Sequence, residues 1–215
     1  MKVIVCEQRS PEWFAARLGR LTGSRASDML ATTKKGVPST SRQNLLMELV
    51  LERLTGKSQA REFQSRAMQD GAEREAAAAN AYEAITGHVL KATGFIEHDE
   101  LMAGCSLDGH YGNYEGIVEI KSPIPATHLE YLKTGKVPTD YYRQCLHNMW
   151  ITGAQWCDWL SYQPDFPEHL QVRMIRIERN EADIDAYAEQ AASFLEEVAL
   201  EHSGLLGWSV LKEAV

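Results

Sequence analysis

Apolar positions recur with two distinct periods along this chain. In residues 42–54, Leu45, Leu46, Leu49, Val50 and Leu54 fall on one helical face, and Gly56 follows as a stop. Ser10-Pro11-Glu12 opens an earlier helix through Trp13, Ala16 and Arg17, because a serine hydroxyl caps free N–H groups and proline fits the first turn. Gly19 ends it. Thr22-Gly23-Ser24 reads as a second cap, leading into a short helix through Met29 and Leu30. Residues 31–41 are polar, with glycine, proline and two lysines, the composition of a mobile loop. Residues 65–86 form a long alanine-rich helix closed by Gly87. Alternation then takes over in HVLKATGFIEH, MAGCSLDG and YEGIVEIK, before Pro123 and Pro125 break it. Helices follow near 126–132 and 139–151, then strands in QWCDWLSY and LQVRMIRIE, then an acidic amphipathic helix over 181–200. This order predicts a mixed α/β fold, a central mixed β-sheet flanked by helices.

The chain has 215 residues, the size of one domain with elaborations, so residues 1–215 are expected to form a single domain. No apolar run approaches the roughly 20 residues of a membrane span, and the N-terminus lacks the apolar core of a secretory leader. No membrane partner is therefore expected, and Cys6, Cys105, Cys145 and Cys157, which show no CxxC spacing, fit a reducing cytoplasm.

Charge changes the picture more. The net charge is -8, which excludes a generally basic surface. Yet residues 1–66 hold 12 Lys and Arg against 6 Asp and Glu, and the remainder hold 10 against 24. The basic excess includes Arg17, Arg25, Lys34, Lys35, Arg42, Lys57, Arg61 and Arg66, and it suggests either one local basic surface on an acidic body or charges neutralised by acidic neighbours.

Gly56-Lys57-Ser58 looks like the end of a phosphate loop, but Leu51 stands where its first glycine belongs and the preceding segment is helical. The informative constellation is Asp108-Gly109, then Glu119-Ile120-Lys121. On a strand Glu119 and Lys121 point to one face and Ile120 to the other. A hairpin or bend would bring Asp108 beside them. Two carboxylates make a hard oxygen site for Mg²⁺, and a lysine adds a positive charge for water or phosphate, the equipment of metal-assisted phosphodiester hydrolysis.

Other blocks set this constellation in context. Trp13, Arg17-Leu18-Gly19 and Leu21-Thr22-Gly23-Ser24 stand near the start. Gly71 and Glu75 lie in the long helix. Cys105-Ser106, Asp108-Gly109, Glu119-Ile120-Lys121 and Pro123 follow. Last come Gln144 and Met149-Trp150-Ile151-Thr152. In this order the blocks resemble the phage lambda exonuclease family, also called YqaJ-like viral recombinases, within the PD-(D/E)XK nuclease class. The resemblance spans about residues 13–152.

It implies a restriction-endonuclease-like core and a Mg²⁺-dependent 5'-to-3' exonuclease. Such an enzyme acts on the ends of linear double-stranded DNA and leaves 3' single strands for recombination. Two Mg²⁺ ions are implied, with Mn²⁺ as a substitute. So are a homotrimeric ring, a single-strand annealing protein as partner, and the cytoplasm of a bacterial host. By the same resemblance Asp108, Glu119 and the Ile120 carbonyl are metal ligands, Lys121 is the water or transition-state lysine, and Glu75 supports a second metal. Gln144 stands beside the site. Arg17, Ser24 and Ser106 form a 5'-phosphate pocket. Met68 is a strand-separating wedge, and Lys34 and Lys35 reach toward DNA.

The chain departs from the pattern at Leu107, where proline is usual, at Ser122, where cysteine is usual, and at Lys34 and Lys35, where an arginine would stand. Two alternatives remain: another PD-(D/E)XK endonuclease or repair nuclease, including the iron–sulfur kind, and a non-enzymatic DNA-binding module of the same fold.

Overall fold

The structure is a computed structural model that describes residues 1–59 and 66–208, with side chains except those of residues 66–73. Its architecture is mixed α/β, as the alternation of periods predicts, with the strands divided between two four-stranded mixed sheets. The first sheet has the order β1 (Lys2–Ile4), β3 (Phe95–Glu97), β4 (Ala103–Cys105), β2 (Leu21–Thr22). The second has the order β5 (Gly109–Tyr111), β6 (Gly116–Lys121), β7 (Trp156–Tyr162), β8 (Val172–Glu178). Only β6 and β7 run parallel in the second sheet. The crossover between them carries α5 (Pro125–Thr134) and α6 (Thr139–Thr152).

The second sheet is covered on both faces, so β6 is buried almost throughout. Val118, Ile120, Leu160 and Tyr162 pack against Ala78 and Tyr82 of α4 (Arg66–Thr86). Ile117, Cys157 and Trp159 join the main core with Cys145 and Met149 of α6 and with Phe194 and Val198 of α7 (Glu181–Leu206). Gly116 lies under the Trp156 indole, and a Cβ added there would run into that ring.

Helix ends follow the sequence closely. Ser10 accepts from the Trp13 N–H at 3.2 Å at the start of α1 (Pro11–Arg17). Gly56 ends α3 (Thr40–Thr55) in the left-handed region, φ 65°. Three local expectations change. The strand expected across HVLKATGFIEH shortens to β3, and Gly94, just before it, passes against the backbone of Ile4 and Cys6, where a side chain has no room. The expected cap at Thr22-Gly23-Ser24 is instead a 3-10 turn, Gly23–Arg25, followed by α2 (Ala26–Met29), and no side chain caps either. Of the loop expected over residues 31–41, residues 31–39 form a hydrogen-bonded turn, with the Thr33 N–H on the Val37 carbonyl at 2.8 Å and the Ser39 N–H on that of Ala31 at 3.0 Å, and Thr40 already begins α3.

Candidate active site

The hairpin of β5 and β6 assembles the central group. Gly109 pairs with Val118, which places Asp108, the residue before β5, beside Glu119. The Asp108 carboxylate accepts from the Ile120 N–H at 2.6 Å. On the opposite face of β6 from Ile120, the Lys121 ammonium donates to Glu119 Oε1 at 2.6 Å. Glu119 is only 2% exposed, so its charge needs partners, and its second oxygen accepts from Asn148 Nδ2 at 3.1 Å. Burial, and then the repulsion of Glu119, push the Asp108 carboxyl well above the ordinary carboxylate range. Burial works against the Lys121 charge, but Glu119 and Asp108 outweigh it and hold the ammonium above its usual range.

Glu75 reaches the same place from α4. It lines, with Asp108, a cleft of about 650 Å³ whose other walls include Val3, Gln8, Arg9 and Tyr114. Its carboxylate accepts from Arg9 Nη2 at 3.2 Å. Among the described residues, no three His, Cys, Asp or Glu side chains are already arranged around a metal position. The donor chemistry nonetheless suits a hard cation. The side-chain donors are carboxylate oxygens, and Glu119 and Glu75 both repel the Asp108 charge, a strain that a divalent cation would relieve. Asp108, Glu119 and Glu75 are therefore the side chains that fit a metal, with Lys121 and Arg9 standing on two of them as resident positive charges.

Asn148, absent from the residues singled out by sequence, joins this group through Glu119. It lies one helical turn after Gln144 on α6, and the shared i, i+4 face was the available signal. Gln144 itself packs near Gly23, its Cγ 3.3 Å from where a Cβ would stand, and makes no hydrogen bond among the described residues. The contact to Glu119 belongs to Asn148, whose Oδ1 is buried without a partner against Gly23.

Arg17 and Ser106 do come together. Arg17 Nη1 donates to Ser106 Oγ at 3.2 Å, and Trp13 Nε1 donates to the same oxygen at 2.8 Å. The guanidinium lies 4.1 Å above the Trp13 ring. Burial lowers its pKa to about 10, and no carboxylate pairs with it among the described residues. Ser24 is exposed in its 3-10 turn, 3.5 Å from Thr22 Oγ1, and makes no hydrogen bond to Arg17.

The expected basic surface is smaller than the charge count suggested. Arg25 is bound to Asp28 and Glu48, and Arg42 is held by both oxygens of Glu197 at 2.7 and 2.8 Å. Those carboxylates lie as far as 155 positions away in sequence, so a local count could not see them. Lys34, Lys35 and Lys57 are exposed. Arg61 and the side chains of Arg66 and Met68 lie outside the described residues.

A family description, the YqaJ-like viral recombinase domain, matches residues 12–155, the stretch that holds Arg17, Glu75, Asp108, Glu119, Lys121 and Asn148. The chain belongs to the YqaJ-like viral recombinase family. Its structure is similar to that of an alkaline exonuclease, LHK-Exo, from Laribacter hongkongensis, at 39% identity over 92% of this chain and 96% of that one, with a TM-score of 0.83. The complex of LHK-Exo with dAMP matches at 40% identity over 91% and 96%, TM-score 0.82. A phage-related exonuclease from Haemophilus somnus 129PT shares the fold, at 15% identity over 86% and 96% and a TM-score of 0.66. No curated protein matches significantly. Within the family, the chain is an enzyme of the exonuclease kind. No helix among the described residues is long and apolar enough to cross a membrane.

Proposed function

We propose that the chain is a PD-(D/E)XK exonuclease that digests linear double-stranded DNA from 5' ends. One observation carries the reading. Asp108 of the Asp108, Glu119 and Lys121 group stands two residues along the chain from Ser106, which binds Arg17, an arginine with no salt bridge among the described residues. Hydrolysis equipment and an anion pocket share one hairpin.

Asp108, Glu119 and the Ile120 carbonyl are the ligands for one Mg²⁺, and Glu75 supports a second. When bound, these ions, or Mn²⁺ in their place, neutralise the scissile phosphate and make water more acidic. The chain's own groups do the rest. Lys121, held on Glu119, supplies a positive charge that steadies the attacked phosphate oxygens or their water. Asn148 fixes the Glu119 carboxylate so that its free lone pairs face the site. Arg17 and Ser106 hold the terminal 5' phosphate. Breaking the P–O3' bond releases a nucleotide and leaves a new 5' phosphate to occupy the same pocket. The single domain works as a homotrimer in the cytoplasm of a bacterial host, and passes its 3' single strand to an annealing protein.

The test is Mg²⁺-dependent digestion of linear duplex and of closed circular plasmid by Asp108→Ala, Glu119→Ala and Lys121→Ala. Each substitution is expected to abolish or nearly abolish digestion of the linear duplex, and the parent should leave the circle intact. Near-parental turnover in all three variants overturns the nuclease reading. Cutting of the circle favours an endonuclease.

A further inference from the structure

Arg9 has no counterpart among the residues assigned above, yet two features single it out. Its backbone lies at φ 71°, the left-handed region that glycine occupies freely and a long side chain does not. Its guanidinium reaches into the acidic cleft through one nitrogen only, Nη2 on Glu75. The backbone beneath it is held. The Gln8 amide, the neighbour in sequence, donates to the carbonyls of Thr93 at 3.1 Å and Leu107 at 2.8 Å, the latter next to Asp108. The other non-glycine residue in the left-handed region is Tyr114, at φ 63°, and it lines the same cleft. Among the described residues, then, both such residues border one site, where unfavourable backbone is retained when a side chain is needed.

The Arg9–Glu75 pair does little for stability, since its side chains are 57% and 34% exposed and water screens them. Holding a strained arginine for that pair alone gains almost nothing. The remaining guanidinium nitrogens of Arg9 make no hydrogen bond among the described residues, and they border a cleft whose carboxylates would repel a polyanion.

Resting on the exonuclease reading, we infer that Arg9 is a substrate-binding residue, which contacts a backbone phosphate of the DNA strand entering the cleft and rests on Glu75 in the free enzyme. A guanidinium meets phosphate with two parallel donors, whereas its contact with Glu75 uses one. A divalent cation drawing on Glu75 would release Arg9 to that phosphate.

The experiment measures binding of a short 5'-phosphorylated duplex by fluorescence anisotropy in Ca²⁺ over a series of salt concentrations. The parent, Arg9→Gly, Arg9→Ala and Arg9→Lys are compared, with Tm recorded for each. The glycine and alanine variants should bind about ten-fold more weakly, with the log–log salt slope reduced by about one phosphate contact. Lysine should recover part of both. Arg9→Gly should also melt no lower than the parent, because glycine relieves the backbone. Affinity and salt slope equal to the parent's, in variants of a parent that digests DNA, overturn the role of Arg9 and leave the nuclease reading standing. A parent that neither binds nor digests the duplex overturns both. A purely structural role predicts a fall in Tm with an unchanged salt slope, and that result also refutes the inference.

Discussion

Replacing Arg17 by methionine separates recognition of a terminal phosphate from any part the arginine plays in folding. The guanidinium is buried against Trp13 with no carboxylate bonded to it among the described residues, and burial, which outweighs the pull of Glu52, lowers its pKa to about 10. That displacement corresponds to about 3 kcal/mol of disfavour for the charged form. Up to pH 10 the free protein bears this cost, and it eases as pH rises further. Methionine keeps an apolar stem on the Trp13 ring and removes the charge. Ser106 keeps its bond from Trp13 Nε1. The Tm of Arg17→Met should therefore hold or rise. Function should move the other way. A charge-assisted hydrogen bond contributes about 1.5–3 kcal/mol, so digestion of 5'-phosphorylated duplex should slow by about ten- to a hundred-fold. A 5'-hydroxyl end lacks the charge that Arg17 reads and should slow far less. The assay compares initial rates of parent and variant on duplexes matched except for that phosphate, beside a thermal melt. Equal slowing on both ends, together with a lower Tm, would refute the reasoning and make Arg17 an anchor for α1.

Two further predictions concern the scaffold. His147 is fully buried between the Tyr187 hydroxyl at 2.7 Å and the Gly104 carbonyl at 2.9 Å, and burial lowers its pKa from 6.5 to about 4. The unfolded chain takes up a proton that the folded one refuses, so stability is intact above pH 6.5 and is lost as pH falls toward 4, by about 2 kcal/mol at pH 5. His147→Gln should flatten the change in Tm between pH 7 and pH 5, and a slope equal to the parent's would disprove the assignment. Gly116→Ala should lower the urea midpoint by the equivalent of about 1–3 kcal/mol, because the added methyl meets the Trp156 ring. A parental midpoint would show that the indole can move aside.

What the sequence determined by itself was whatever depends on neighbours along the chain. Helix ends at Ser10, Gly56 and Gly87 were legible because capping and left-handed stops are settled within a turn. The Asp108, Glu119 and Lys121 group was legible for a related reason. Alternation along β6 puts two of its members on one face, and a short hairpin brings the third. Tertiary structure decided the contacts between distant segments. The two-residue strand β2 exists only because β4 lies beside it, and the split into two sheets leaves no periodic trace. Charge counting placed Arg25 and Arg42 in a basic segment without naming their partners, and packing paired them with Glu48 and Glu197. It was Asn148, one turn after Gln144, that met Glu119 when α6 settled on β6. Arg9 met Glu75 across 66 positions of sequence. Local propensity is short-ranged, while burial and Coulomb forces act on whatever the fold brings near. The type of chemistry was therefore readable in the string of residues, and the assignment of each charge to its partner was made only in three dimensions.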